Sequence, residues 1–161
     1  MKKIDISFEE YGSLIEALSQ KIIQSERQYD LIICLARGGV LVGDILSRLL
    51  QLPLAVMFTS SYQQNGIKAD TVRMSDIATI DAEKLEGRVL LVDDLVDSGA
   101  TIIEVSRKLR SRYQSQSIDT AVLWWKYTSK VRPNFWVQYL NEKENAWIVQ
   151  PFEAYETKGK K

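Results

Sequence analysis

The chain has 161 residues, of which 45% are hydrophobic and 26% are charged, and its 21 basic residues match its 21 acidic residues. This length suits one domain with a sizeable core, and the balanced charge gives no indication of a nucleic-acid or membrane partner. The chain has no histidine and one cysteine, Cys34. These counts exclude histidine-based catalytic triads, imidazole-bound zinc and an internal disulfide.

No apolar segment follows Met1, and no run of about 18 apolar residues occurs in the sequence. We therefore expect a cytoplasmic protein that does not contact a membrane. Because histidine is absent, any proton transfer must use a carboxylate, a lysine, a tyrosine or a cofactor.

The spacing of apolar residues predicts the helices and strands in chain order. Apolar residues recur at helical spacing over residues 8–24, which predicts the first helix. Further helices are predicted at residues 40–50 and 102–112, and short, continuously apolar strands at 31–35, 54–58, 88–92 and 118–125. Continuously apolar strands that alternate with helices indicate an α/β fold, with a mostly parallel central sheet and helices on both faces.

Two segments lie outside this alternation. Residues 59–86 are polar and only weakly periodic, so we expect a mobile loop there that includes a β-hairpin. Residues 133–152 are aromatic and less regular, which suggests a small subdomain. We expect a single domain over residues 1–161, with a core over about 1–126 and a C-terminal hood over about 127–156.

The most informative stretch is residues 89–101, where four apolar residues run into an acidic turn that opens a helix. In an open parallel sheet, ligands bind at the carboxyl ends of the strands. Asp93 and Asp94 can accept hydrogen bonds from a vicinal diol or hold a hard cation. Residues 98–101 offer backbone N–H groups, two hydroxyls and a helix N-terminus to a phosphate. A simple helix cap at Asp97 is the alternative, although it leaves the length of the pattern unexplained.

This stretch resembles the signature of the type I phosphoribosyltransferases, which bind phosphoribosyl pyrophosphate (PRPP). The resemblance implies the fold of that family and implies that Asp93 and Asp94 hold the ribose 2′ and 3′ hydroxyls. It also implies that the 5′-phosphate lies among Asp97, Ser98, Gly99, Ala100 and Thr101.

A second anion-binding turn follows the first predicted strand, where Arg37, Gly38 and Gly39 lead into a helix. Small residues let backbone N–H groups approach an anion closely, and Arg37 adds positive charge. The turn resembles the pyrophosphate-binding loop of the same family. By the same resemblance, Lys68 or Arg73 in the polar loop would reach the pyrophosphate when the loop closes.

The C-terminal part resembles the short bacterial and archaeal enzymes that act on 6-oxopurines. This resemblance implies that Lys126 contacts the 6-oxo group and that Trp147 stacks on the base. It also implies that the Ile148 backbone contacts the base. Packing of these aromatic residues in a core or a dimer interface is the alternative.

The resemblance leads to a magnesium-dependent reaction in which a purine N9 attacks C1′ of PRPP and pyrophosphate leaves. With no histidine available, Asp97 is the expected acceptor of the purine N7 proton. Mg²⁺ is the expected cofactor, with Asp93, Asp94 and Glu153 as candidate ligands.

Two other functions remain open. The first is a regulator that senses PRPP and binds RNA or DNA without catalysis, although the balanced charge gives no support for a nucleic-acid partner. The second is a phosphoribosyltransferase for another base, such as adenine or a pyrimidine. Relatives form dimers or tetramers, so we expect a homo-oligomer.

Overall fold

The computed structural model describes residues 2–64, 67–79, 87–113, 115 and 117–158. The strands are β1 (Lys2–Asp5), β2 (Leu31–Ala36), β3 (Leu54–Gln64), β4 (Ile67–Ala78), β5 (Arg88–Val92), β6 (Leu95–Val96), β7 (Ser117–Lys126), β8 (Phe135–Leu140) and β9 (Ala146–Val149). The helices are α1 (Phe8–Gln24), α2 (Gly39–Leu50), α3 (Ala100–Tyr113) and α4 (Ala154–Lys158).

The central sheet runs in the order β4-β3-β2-β5-β7-β8, and the short β6 also pairs with β7. Its pairings are parallel except for the antiparallel hairpin of β3 and β4. Each helix and strand that the apolar spacing predicts is confirmed, with small differences at the ends except in β3, which continues beyond its predicted end at residue 58 to Gln64.

Helices cover both faces of the sheet, as the continuously apolar strands predict. On one face, α1 and α2 pack on alternate residues of β2 and β5, such as Ile32 and Leu90. On the other face, α3 packs on the intervening residues, such as Ile33 and Leu91. Strands that are buried on both faces have no solvent-exposed side, so their residues are continuously apolar and do not alternate between apolar and polar.

The local sequence of α1 determines both where the helix begins and which face it buries. Ser7 and Glu10 form a capping box at its start, with hydrogen bonds of 3.1 and 2.8 Å between each side chain and the other residue's backbone N–H. Its buried face includes Tyr11, Ile15 and Leu18. Burial of each such apolar side chain contributes about 1.5–3 kcal/mol, so this face anchors α1 to the sheet.

The described parts of residues 59–86 are largely an antiparallel hairpin, because β3 continues to Gln64 and returns as β4. The hairpin within this segment is therefore confirmed. Its base is tied to α3, where Lys108 Nζ donates to the Ser75 carbonyl at 2.7 Å and Arg112 pairs with Asp76 at 2.7 Å. Movement of this segment on ligand binding stays a prediction.

The C-terminal segment is divided between two sheets. β8 lies parallel to β7 in the central sheet, with Phe135 and Leu140 buried, so this part of the expected hood belongs to the core. β9 pairs in parallel with β1 in a separate two-stranded sheet. The hood therefore depends on the N-terminal strand, and no local pattern in the sequence predicts that pairing. No described helix is long and apolar enough to span a membrane.

Candidate functional site

The carboxyl ends of β2 and β5 meet at one edge of the sheet, and two glycines bring the loops that follow them together. A Cβ on Gly38 would lie 2.7 Å from the carboxylate of Asp94. A Cβ on Gly39 would lie 2.8 Å from the Val92 carbonyl oxygen and 2.9 Å from the Asp93 Cα. Backbone atoms leave no room for a side chain at Gly39, and a side chain at Gly38 would require Asp94 to move. The preceding peptide bond, between residues 36 and 37, is cis.

The two adjacent carboxylates are held by backbone donors. The Asp94 N–H donates to Asp93 Oδ1 at 2.9 Å, and the Leu95 N–H donates to Asp94 Oδ1 at 2.8 Å. Burial raises the pKa of Asp93 well above its usual range, and the neighbouring Asp94 carboxylate raises it further. Two crowded carboxylates favour a ligand that supplies hydroxyl donors or positive charge, as the sequence predicted for this pair.

The turn before α3 contains a glycine in the left-handed conformation. Gly99 has a φ of 83°, and a Cβ there would lie 2.5 Å from a methyl group of Val131. The Ser98 carbonyl accepts from the Lys130 N–H at 3.0 Å, and Ser98 Oγ accepts from the Ala100 N–H at 3.3 Å. The Lys130 backbone and the Ser98 side chain therefore hold the turn, which leads into a helix of 14 residues. Such a helix N-terminus suits the phosphate that the sequence predicts at residues 97–101.

Lys126 and Asp97 come together beside this turn. Lys126 Nζ lies 3.6 Å from Asp97 Oδ2, and its side chain is 8% exposed against 43% for Asp97. Thr128 Oγ1 donates to Asp97 Oδ1 at 2.7 Å. One carboxylate oxygen is therefore fixed by a hydroxyl, and the other faces a nearly buried ammonium group. The sequence assigned both residues to the purine, and the structure places them side by side.

Trp147 lies in a different part of the site. It is 51% exposed and lines a cavity of about 1090 Å³ together with Arg37, Gly38, Gln150 and other residues. Neither Lys126 nor Asp97 is among the described residues that line this cavity. Arg37 forms an ion pair of 3.2 Å with Glu156 of α4, so the predicted pyrophosphate loop contacts the hood directly.

Several predicted contacts of the site receive no support from the described geometry. Ile148 is buried in β9 opposite Ile4 of β1. The Lys68 side chain lies outside the described residues. Arg73 lies on the hairpin, in a small cleft with Phe58 and its neighbours, and none of the carboxylates of the acidic turn lines that cleft.

The predicted metal set of Asp93, Asp94 and Glu153 is not assembled. Glu153 Oε1 accepts from the Gln150 N–H at 3.0 Å and so caps a short 3-10 turn. Within the described ranges, no three acidic, cysteine or histidine side chains are grouped so that they could hold a metal ion. The adjacent Asp93 and Asp94 still fit magnesium, which is usually held by one or two carboxylates, by waters and by phosphate oxygens of the substrate.

Sequence reasoning missed two residues that contact the acidic turn directly or through one neighbour. Gln150 Nε2 donates to Asp94 Oδ2, and the Tyr11 hydroxyl donates to Gln150 Oε1 at 3.1 Å. Burial and the nearby carboxylates of Asp94 and Asp93 raise the pKa of Tyr11 far above its usual range, so its hydroxyl remains protonated. No pattern in the sequence relates residues 11, 94 and 150, because the fold alone brings them together.

Comparisons with known proteins agree with this geometry. The family profile of the phosphoribosyl transferase domain matches residues 7–157. The structure resembles that of a purine phosphoribosyltransferase from Pyrococcus horikoshii Ot3, with a TM-score of 0.74 and 28% identity over 94% of this chain and 95% of that one.

Among curated proteins, the chain is similar to a hypoxanthine phosphoribosyltransferase of Buchnera aphidicola subsp. Schizaphis graminum. The two are 30% identical over 112 residues, which is 69% of this chain and 60% of that protein. A transcriptional regulator, GfcR, of Methanococcoides burtonii is 22% identical over 61% of this chain and 46% of its own length. The chain thus spans about half to three-fifths of these curated relatives.

The family profile covers almost the whole chain, and it includes the two glycine turns, the acidic pair and the hood. The structural match extends over nearly the full length of both proteins. The resemblance that the acidic turn indicated is therefore confirmed, and the chain belongs to the phosphoribosyl transferase domain family.

Proposed function

We propose that this protein transfers the 5-phosphoribosyl group of PRPP to N9 of a 6-oxopurine, namely hypoxanthine, guanine or xanthine, in purine salvage. The observation that carries this function is the pairing of Lys126 with Asp97 next to the Asp93–Asp94 edge. The pair sets a donor and a proton acceptor at one place, beside carboxylates that suit a ribose. The hypoxanthine enzyme among the curated relatives supports the same substrate class.

The two turns at the sheet edge support the PRPP half of the proposed site. Asp93 and Asp94 are suited to accept from the ribose hydroxyls, because their crowding is relieved by hydroxyl donors. The N-terminus of α3 is suited to the 5′-phosphate. The loop of Arg37, Gly38 and Gly39 supplies a charged, closely approaching backbone for pyrophosphate.

The choice of base follows from the chemistry of Lys126. An ammonium group only donates hydrogen bonds, so it suits a 6-oxo group and opposes the 6-amino group of adenine. Its side chain is nearly buried, which makes the mismatch with adenine costly. Trp147 would stack on the base from the hood after a rearrangement, because its cavity and Lys126 are separate here.

In the proposed reaction, the purine N9 lone pair attacks C1′ with inversion while the bond from C1′ to the pyrophosphate oxygen breaks. The purine N7 proton passes to a carboxylate oxygen of Asp97, whose other oxygen is held by Thr128. Magnesium bound with the pyrophosphate would offset the charge that develops as it leaves. Asp93 and Asp94 are the residues that would hold the metal.

The test is to incubate the purified protein with PRPP, Mg²⁺ and a panel of bases, and to follow nucleotide formation by chromatography. The panel holds hypoxanthine, guanine, xanthine, adenine, uracil and orotate. We expect turnover with at least one 6-oxopurine, and we expect a chelator to abolish it. Turnover with adenine or a pyrimidine alone would contradict the proposed base.

The similarity to GfcR favours one second candidate, a PRPP-binding regulator of nucleic acid. A regulator would bind PRPP but form no nucleotide with any base in the panel. It would also bind DNA or RNA with an affinity that falls steeply as salt rises. Titration of labelled duplex DNA and RNA at low and moderate salt, with and without PRPP, separates this candidate from the enzyme.

A further inference from the structure

Three side chains from distant parts of the chain form a continuous hydrogen-bonded series that ends at the acidic edge. The Tyr11 hydroxyl of α1 donates to Gln150 Oε1 at 3.1 Å across 139 residues of sequence. Gln150 Nε2 in turn donates to Asp94 Oδ2 across 56 residues. The series therefore connects the first helix and the hood to a carboxylate of the proposed ribose site.

The order of donors and acceptors fixes the orientation of the central amide. A glutamine has one acceptor oxygen and one donor NH₂ group, and an ionised carboxylate only accepts. With the Tyr11 hydroxyl on its oxygen, Gln150 must present its NH₂ group to Asp94. The reversed amide would place two acceptor oxygens together and would leave the buried hydroxyl without its acceptor.

Tyr11 is itself held firmly by the core. Its side chain is 1% exposed, and its ring lies 5.9 Å from the rings of both Trp124 and Phe152. A ring that is fixed on two sides cannot follow a displaced glutamine, so its hydroxyl acts as a stationary reference point.

Asp94 is consequently held by two donors on different oxygens. The Leu95 N–H occupies Oδ1 at 2.8 Å, and Gln150 occupies Oδ2. Two fixed contacts determine the plane of the carboxylate, and each oxygen keeps a second lone pair for a ligand.

We propose that Gln150, oriented by the Tyr11 hydroxyl, is a positioning residue that sets the Asp94 carboxylate for the ribose hydroxyls of PRPP. Because Gln150 also lines the cavity of Trp147, it joins the proposed ribose and base halves of the site. This role rests on the proposed function, since it presupposes that Asp94 binds the ribose.

The test compares Gln150→Met, which keeps the side-chain length without hydrogen bonds, with Tyr11→Phe, which removes one hydroxyl. PRPP and pyrophosphate are each titrated into the full chain with Mg²⁺ by calorimetry. Gln150→Met removes a hydrogen bond to a charged group, so PRPP affinity should fall roughly tenfold to hundredfold. Tyr11→Phe removes only the hydroxyl that orients Gln150, so PRPP affinity should fall about threefold to tenfold. Pyrophosphate affinity should fall much less than PRPP affinity, because pyrophosphate lacks the ribose hydroxyls and would meet Asp94 only through Mg²⁺.

Tyr29 offers a matched control, because it is also a largely buried tyrosine, although its hydroxyl donates to a carboxylate and not to an amide. It contacts Asp119 Oδ2 at 2.5 Å, near the start of β7 and away from the acidic edge. Tyr29→Phe should lower thermal stability while PRPP affinity stays unchanged. If Gln150→Met does not fold, Gln150→Asn serves instead, because it keeps the amide but shortens its reach.

A double variant tests whether Tyr11 acts through Gln150. The Tyr11→Phe/Gln150→Met protein should bind PRPP as weakly as Gln150→Met alone, because the hydroxyl then has nothing to orient. Additive losses in the double variant would overturn the relay. Wild-type PRPP affinity in folded Gln150→Met or Gln150→Asn would overturn the positioning role. Failure of the wild-type protein to bind PRPP would instead overturn the proposed function, and this role with it.

Discussion

The acidic edge and the C-terminal hood are built in different ways. At the edge, the turns at residues 37–39 and 93–101 follow directly from strands, and glycines allow their backbones to approach within van der Waals contact. In the hood, position depends on contacts between distant segments, namely the pairing of β9 with β1 and side-chain contacts such as Arg37 with Glu156 and Gln150 with Asp94. The edge is therefore a fixed platform, whereas the hood depends on contacts that single substitutions can remove.

The largest expected effect is at Asp97, where the two regions meet through Lys126 and Thr128. Asp97→Asn should lower kcat about 100-fold to 10,000-fold, the usual contribution of a proton-transfer group. The KM for PRPP should change little, because Asp93 and Asp94 remain and asparagine keeps the shape of Asp97 in the proposed phosphate turn. Steady-state kinetics with hypoxanthine measures both constants, and equal losses in kcat and PRPP affinity would remove the proton-transfer role.

A substitution in the backbone of the edge should be the next most severe. The Gly39→Ala methyl group would press on the Val92 carbonyl and the Asp93 Cα, neither of which is a flexible side-chain end. Overpacking of this kind costs about 1–3 kcal/mol of stability, and it should displace the acidic pair and weaken PRPP binding.

Gly12→Ala on α1 is the matched control, since a Cβ there meets nothing within 4 Å. It should leave PRPP binding unchanged and raise stability slightly, because alanine favours a helix more than glycine does. Thermal unfolding and calorimetry measure both variants. Equal behaviour of the two would show that the edge is not a rigid platform.

A substitution in the hood should weaken binding of the base and not binding of PRPP. Trp147→Ala should raise the KM for the purine roughly fivefold to hundredfold, because stacking of a base on an aromatic ring is worth about 1–3 kcal/mol. The affinity for PRPP should change less than twofold. An unchanged purine KM would leave Trp147 as a surface residue of the hood cavity, with no role in binding the base.

The smallest expected effect is on the reactivity of Cys34, which lies in β2 of the central sheet. Burial raises the pKa of the Cys34 thiol to about 11, so it stays protonated and unreactive at neutral pH. The native protein should resist a thiol reagent at pH 8, and one equivalent should react after unfolding. Rapid labelling of native Cys34 would show that this part of the sheet opens to solvent.

The sequence predicts the edge far better than the hood, and the cause is the range of the contacts involved. A continuously apolar strand followed by Asp93 and Asp94 predicts that the two carboxylates lie at the ligand-binding edge of the sheet, because parallel strands place their carboxyl ends together. The pairing of β8 with β7 could not be predicted, because the apolar strands resemble one another and the sequence does not show which of them β8 pairs with. β1 and Gln150 were missed because no local pattern in the sequence marks their partners, β9 and Asp94.

The central claim is that the chain joins PRPP to a 6-oxopurine, and phosphorus NMR tests it most directly. In three separate samples, the protein is mixed with Mg²⁺, PRPP and an equal amount of hypoxanthine, guanine or xanthine, and the phosphate signals are followed over time. In at least one sample we expect one nucleoside 5′-monophosphate and one pyrophosphate to appear for each PRPP consumed, at a rate that Asp97→Asn reduces. Persistence of the PRPP signals in all three samples, or their conversion to ribose 5-phosphate with the free base unchanged, would contradict the account.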